Sequence, residues 1–123
     1  MRILDSVIER LKIDAREWLE GLNVDDSFTT IMEKVYTDLQ ATGNGYLEVG
    51  RKVNGEIGYI GHIPSTTMRV RRLRDGFIQL LYGKAVFFRN FGDTETPNPI
   101  AEGSDRPNEI IHLKKYTPMN NYY

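Results

Sequence analysis

The tripeptide Gly43-Asn44-Gly45 divides this chain by its hydrophobic period. Before it, apolar residues recur every three to four positions. After it, they alternate every two. A helix repeats every 3.6 residues and a strand every two, so no single regular element holds both patterns. Helices first and strands afterwards predict an α+β fold, with two amphipathic helices followed by a mostly antiparallel meander of five or six strands. At 123 residues there is room for one core. The chain therefore reads as a single domain with a helical part (1–43), a strand-rich part (44–115) and a tail (116–123).

The first helix is expected from Ile3 to Leu22. Leu4, Leu11, Ala15, Trp18 and Leu22 form its stripe, with Ile8 and Leu19 beside it, and Gly21 and Asn23 supply end signals. Trp18 is expected to be the largest buried group. Asp25, Asp26 and Ser27 then offer short acceptors to cap a second helix. That helix carries Phe28, Ile31, Met32, Val35, Tyr36 and Leu39 at helical spacing, and Gly43 closes it. Neither helix buries its stripe alone; each needs the other or a sheet.

Strands are expected at 46–51 and 56–63, joined at Asn54-Gly55, a strong hairpin signal. Three glycines in these strands (Gly50, Gly58 and Gly61) predict a bulge, a close backbone approach or a neighbouring chain. Pro64 ends the second strand, since it lacks a ladder donor. Further strands are expected at 67–74, 77–82 and 84–89, with a tight turn at Asp75-Gly76. Residues 90–104 read as a long polar loop and 109–115 as a last strand, Ile111 and Leu113 facing one way and Ile110 and His112 the other.

Several chemistries find no support. There is no cysteine, which removes disulfides, thiolate zinc sites and cysteine nucleophiles and fits an intracellular origin. No apolar run is long enough to span a membrane, and Asp5, Glu9 and Arg10 interrupt any leader-like segment. The Walker spacing and the Gly-x-Ser-x-Gly elbow are absent, and Gly43-Asn44-Gly45 follows a helix rather than preceding one. Asp25, Asp26 and Asp38 are too far apart for a metal site, since twelve helical residues span about 18 Å. His62 and His112 are the only histidines. A hydrolytic site built on them requires that they meet beside a carboxylate. Catalytic residues, cofactors and metals are expected to be none.

Sixteen basic and seventeen acidic residues nearly cancel, so only a local patch could attract nucleic acid. The one such patch is Arg69, Arg71, Arg72 and Arg74. On a strand these side chains point to both faces, which a doubly buried strand does not tolerate. An edge strand, a subunit contact or a phosphate contact is implied. Seven tyrosines, with Tyr116, Tyr122 and Tyr123 near the end, suit an interface.

Five stretches taken together resemble the tailed-bacteriophage portal proteins of the prophage type. The first is Asp38-Leu39-Gln40-Ala41-Thr42-Gly43-Asn44-Gly45-Tyr46-Leu47-Glu48-Val49. The second is His62-Ile63-Pro64 with Met68-Arg69-Val70-Arg71-Arg72. The third is Val86-Phe87-Phe88-Arg89-Asn90-Phe91-Gly92-Asp93. The fourth is Asn108-Glu109-Ile110-Ile111-His112-Leu113, and the fifth is Tyr116-Thr117-Pro118 leading to Asn121-Tyr122-Tyr123. Their order and spacing carry the likeness. It implies structural roles for Asn44, Tyr46, His62, Pro64, Phe88, Phe91, Gly92, Asp93, His112, Pro118, Tyr122 and Tyr123.

The resemblance further implies the outer, wing-like part of a much longer subunit, cut at both ends or left in a degraded prophage. Portal subunits form a ring, of twelve in the virion, at one capsid vertex. DNA is packaged and ejected through it without catalysis by the portal itself. The implied partners are other copies of the subunit and, through the full-length subunit, the terminase, capsid and neck proteins and DNA, with no membrane. The implied location is the virion, or the host cytoplasm during assembly. Three other readings stand beside this one: a nucleic-acid-binding module using Arg69 to Arg74, a small histidine hydrolase, and an α+β domain of some other assembly.

Overall fold

The structure, a computed structural model, describes residues 2–101 and 103–115. The chain forms α1 (Arg2–Glu20), α2 (Phe28–Thr42), β1 (Asn44–Arg51), β2 (Ile57–Ile63), β3 (Met68–Val70), β4 (Gly76–Leu81), β5 (Lys84–Asn90) and β6 (Glu109–Lys114). A short 3-10 turn, Ser65–Thr67, links β2 to β3.

Local chemistry sets the bounds of α2. Asn23 Oδ1 accepts from the amides of Asp25 (2.9 Å) and Asp26 (3.0 Å), which shapes the approach. Ser27 is the N-cap, and its Oγ accepts from the Thr30 amide at 3.1 Å. Gly43 stops the helix at φ 80, its N–H donating to the Leu39 carbonyl.

The six strands form one sheet in the order β2-β1-β6-β5-β4-β3. All neighbours are antiparallel except β5 and β6, which run parallel and meet only at Arg89–Glu109 and Asn90–Ile110. A parallel neighbour requires the chain to cross back along the sheet, and the long loop after β5 does this. The last strand thereby enters the middle of the sheet rather than its edge.

The β2-β1-β6 half carries a core on each face. On one face Ile31 and Val35 of α2 pack with Leu22, Val49 and Ile60, flanked by Leu47, Ile111 and Leu113. On the other, Tyr46, Ile63 and Ile110 pack with Met68, Phe77 and Phe88 from β3, β4 and β5. The expected split of β6, with Ile111 and Leu113 opposite Ile110 and His112, holds.

Glycine serves the sheet twice: as the expected bulge, and as a close approach at Gly45, which is not among the three glycines expected to provide one. A Cβ on Gly45 would lie 2.9 Å from Val35 Cγ1 and from the Val35 carbonyl, so α2 docks where β1 has no side chain. In the β1–β2 ladder Gly50 pairs with Tyr59 and Arg51 with Ile57, leaving Gly58 as an extra residue. This bulge turns Ile57 onto the face of Ile60, where it packs with the α2 core. The hairpin turn itself spans Lys52 to Gly55, the Gly55 amide donating to Lys52 O at 2.9 Å. Gly55, at φ 88, is its left-handed residue.

Three expectations are corrected. Trp18 is not buried: it is 51% exposed, and no residue of α1 is buried. The reason is that both faces of the β2-β1-β6 half are already occupied, one by α2 and the other by β3, β4 and β5. Only Leu19, in the last turn of α1, and Leu22, just past its end, reach the core from this part of the chain. Secondly, the strand expected at 67–74 is only Met68–Val70. Arg71 to Arg74 form a turn in which the Arg74 amide donates to Arg71 O at 2.8 Å. Thirdly, the turn does not use Asp75-Gly76. Arg74 takes the left-handed conformation, at φ 57, and Gly76 is a buried strand residue. A Cβ on Gly76 would meet Phe87 Cε1 at 2.5 Å, so this glycine seats a ring.

Candidate functional site

Besides the aromatic cluster around His112, the residues singled out by sequence gather in three places. The first is the junction of α2, β1 and β2. His62 Nε2 lies 2.6 Å from Asp38 Oδ2, and the same oxygen accepts from the Ser65 amide at 3.1 Å. Ser65 Oγ bonds Thr42 Oγ1 at 2.9 Å, and Pro64 O accepts from Thr67 through its amide (3.1 Å) and its hydroxyl (2.7 Å). Asp38 thus ties the last turn of α2 to the end of β2. Sequence reasoning weighed Asp38 only as a metal ligand and missed this role. Its signal was a carboxylate one helical turn from the C-cap, followed by His-Ile-Pro.

On the opposite face of the sheet, His112 stacks on Tyr46 at 4.5 Å between ring centres and 10° between planes. Phe77 meets both rings edge-on, at 5.7 Å from Tyr46 and 5.5 Å from His112. His112 Nε2–H donates to Asn44 Oδ1 at 2.9 Å. Burial holds the His112 imidazole below its ordinary pKa, and Lys114 adds to the effect. Burial pushes the Tyr46 phenol up, with Arg69 opposing.

The two histidines therefore do not meet. His62 pairs with Leu47 across β1 and His112 pairs with Tyr46, and adjacent strand residues point to opposite faces. The geometry that a histidine hydrolase requires is absent. Among the described residues no group of three or more His, Asp or Glu stands together to hold a metal ion.

The second place is the start of β6. Glu109 is 4% exposed and takes a two-pronged bond from Arg51, Nε–Oε2 2.6 Å and Nη2–Oε1 3.2 Å. The Gly92 amide donates to Glu109 Oε1 at 2.8 Å, and Gly92 itself sits at φ 89. Arg51 lies over the half-exposed Phe91 ring at 5.6 Å. Asp93 Oδ1 accepts from the amides of Glu95 and Thr96, and Oδ2 accepts from the Thr96 hydroxyl. Those bonds, from the Thr96 hydroxyl first, hold the Asp93 carboxyl below its ordinary pKa. Arg89 Nε then donates to Thr96 O at 2.7 Å. Phe91 and Gly92 thus fasten the start of the long loop to β1 and β6, and Asp93 folds the loop on itself. Phe88 belongs to the core instead. The Arg51–Glu109 pair escaped sequence reasoning, because its partners are 58 residues apart.

The third place is the arginine segment. β3 is an edge strand of the sheet, as the charge pattern implied. Arg69 Nη1 donates to the carbonyls of Thr66 (3.1 Å) and Met68 (2.8 Å). Arg71 pairs with Asp75 at 2.7 Å and covers the Phe87 ring at 5.6 Å. Arg69 and Arg71 are thus engaged within the chain. Arg72 and Arg74 stand exposed on the turn, which leaves two arginines for an outside contact rather than four. Pro118, Tyr122 and Tyr123 lie outside the described residues.

Comparison with known proteins adds two likenesses. Over 129 aligned positions the chain is 25% identical to the uncharacterized protein YqbA of Bacillus subtilis (strain 168), covering 80% of this chain and 25% of YqbA. Its fold is shared with a chain in a structure described as the neck of an empty GTA particle, computed with C6 symmetry. There the TM-score is 0.62 at 21% identity, over 87% of this chain and 26% of that one. The chain spans about a quarter of the length of each. No family model matches it.

Proposed function

We propose that this chain is a structural, oligomer-forming component of a phage-type particle, and within that class the wing-like part of a portal subunit. The observation that carries the reading is the shared fold of most of the chain with a particle neck chain. The portal-like stretches agree with it. Among their residues His62 and Asn44 link the end of α2 to the sheet, Tyr46 and His112 stack on the opposite face, and Phe91, Gly92 and Asp93 pin the long loop. Bonds of this kind hold a wedge rigid, and rigid wedges with two different complementary surfaces close into rings. In this reading the partners are further copies of the subunit. Terminase, capsid and neck proteins, and the DNA in the channel, are met by the longer subunit at the portal vertex or in the host cytoplasm during assembly. The chain performs no catalysis in this role.

The test is negative-stain microscopy, with mass by light scattering, on the full-length product of the parent gene. Rings with a central channel, twelve-fold or near it, are expected. A small monomer would overturn the reading.

A second reading rests on the exposed Arg72 and Arg74, which could contact a phosphate backbone. A duplex-binding titration across salt tests it. Phosphate contacts release counterions, so binding that ignores salt sinks the idea.

A further inference from the structure

From the spacing and exposure of α1 we infer that it is a self-pairing helix, which joins a second copy of this chain in an antiparallel two-helix coiled coil. Leu4, Ile8, Leu11, Ala15, Trp18 and Leu22 follow one another at intervals of four, three, four, three and four. Within α1, from Leu4 to Trp18, that is a repeat of 3.5 residues over two heptads, and Leu22 continues it just past the helix end. Val7 and Leu19 flank this stripe, and its 3.5-residue period fits another helix of the same kind. The fold leaves the seam uncovered. Leu4, Ile8 and Leu11 are 60%, 41% and 62% exposed. Only the last seam residue, Leu22, is buried in the domain, and it roots the helix there.

Charge selects the orientation and the register. In the antiparallel register that stacks Ile8 on the partner's Leu11 and Leu4 on the partner's Ala15, Asp5 comes beside the partner's Lys12 on one flank and Val7 beside the partner's Asp14 on the other. Two-fold symmetry repeats that pair. Sliding by one heptad sets Lys12 against the partner's Lys12 and draws on Leu22, which the core already holds. A parallel pair faces Val7 with the partner's Lys12 and Asp14 with the partner's Leu19, so it matches no opposite charges. In the structure Lys12 reaches only Glu9, at 3.6 Å, and that contact is well exposed, so little holds it back. This contact uses the same patch on both copies and is distinct from the head-to-tail contact of a ring.

Sedimentation of the 123-residue chain across a concentration series tests the inference. The mass is expected to rise from 14.2 kDa to twice that value. Leu11→Asp should hold it at the monomer with an unchanged circular dichroism spectrum apart from α1, because no residue of α1 is buried and only Leu19 of that helix packs against the core. Asp5→Lys should weaken pairing about fivefold to tenfold, and Asp5→Lys with Lys12→Asp should restore it. A wild-type chain monomeric at every concentration, or a dimer indifferent to Leu11→Asp, overturns the inference. A double variant no better than Asp5→Lys overturns the antiparallel register. None of these outcomes touches the ring reading, which stands or falls on the full-length product.

Discussion

α1 and α2 carry stripes of the same kind and meet different ends. In α2, Ile31 and Val35 are 1% and 0% exposed, whereas in α1 Leu11 and Trp18 are 62% and 51% exposed. The difference does not lie in the helices. It lies in what stands opposite them. Gly45 offers α2 a place where backbone meets backbone, Ser27 and Gly43 set its two ends, and Asp38 fastens its last turn to β2. α1 has a single root at Leu19 and Leu22 and no free sheet face to lie on. An apolar stripe therefore says that a face is to be covered, and the rest of the chain decides by what.

Substitutions sharpen or break this comparison. The largest effect is expected for Ile31→Ala, about 2–5 kcal/mol of unfolding free energy in urea. Leu11→Ala, at concentrations where the chain is monomeric, should change it by less than about 0.5 kcal/mol. Equal losses at the two sites would show that α1 is part of the core after all. Gly45→Ala should cost about 1–3 kcal/mol in thermal unfolding, because the added methyl meets Val35 and α2 must move. Gly43→Ala should cost about 1–2 kcal/mol through backbone conformation alone, since no atom lies within 4 Å of its missing Cβ. Hydrogen exchange should find that loss concentrated in the last turn of α2.

The smallest effect is a pH slope from the face opposite α2. The folded state holds His112 below its ordinary value of 6.5, so the unfolded chain binds the proton more tightly. That contribution to stability is whole above pH 6.5 and is lost as pH falls through the lower folded value. His112→Gln should flatten the slope of unfolding free energy just below pH 6.5, while changes in α1 leave it intact. An unchanged slope in the variant would assign the effect elsewhere.

Much of the fold was legible from particular residues. Ser27 and Gly43 marked the ends of α2, Asn54-Gly55 marked the first hairpin, and the glycines of β1 and β2 announced a bulge. The alternation in β6 was correct residue by residue. Each of these is a local matter of dihedral freedom and side-chain period. The arginine segment was legible as an edge and illegible as a turn, because Arg74 takes a left-handed conformation that no local signal marks. Asp75-Gly76 looked like the turn, yet Gly76 is needed under Phe87, a contact across strands. Of the candidate residues, the loop role of Gly92 and Asp93 could be read, since glycine and aspartate favour turns. The partnerships of Asp38 with His62 and of Arg51 with Glu109 could not, because they join residues 24 and 58 positions apart.

The sequence by itself determined the order of elements, their approximate ends and the division into a helical and a strand-rich part. Those follow from period, capping and turn chemistry, all of which act over a few residues. The tertiary structure alone decided that β6 lies between β1 and β5, that the two histidines sit on opposite faces, and that α2 rather than α1 covers the sheet. Strand pairing and helix docking are contests between distant segments for the same surface. Such a contest is settled by which backbone can come close and which polar groups find partners there, and neither is written in the local pattern of either competitor.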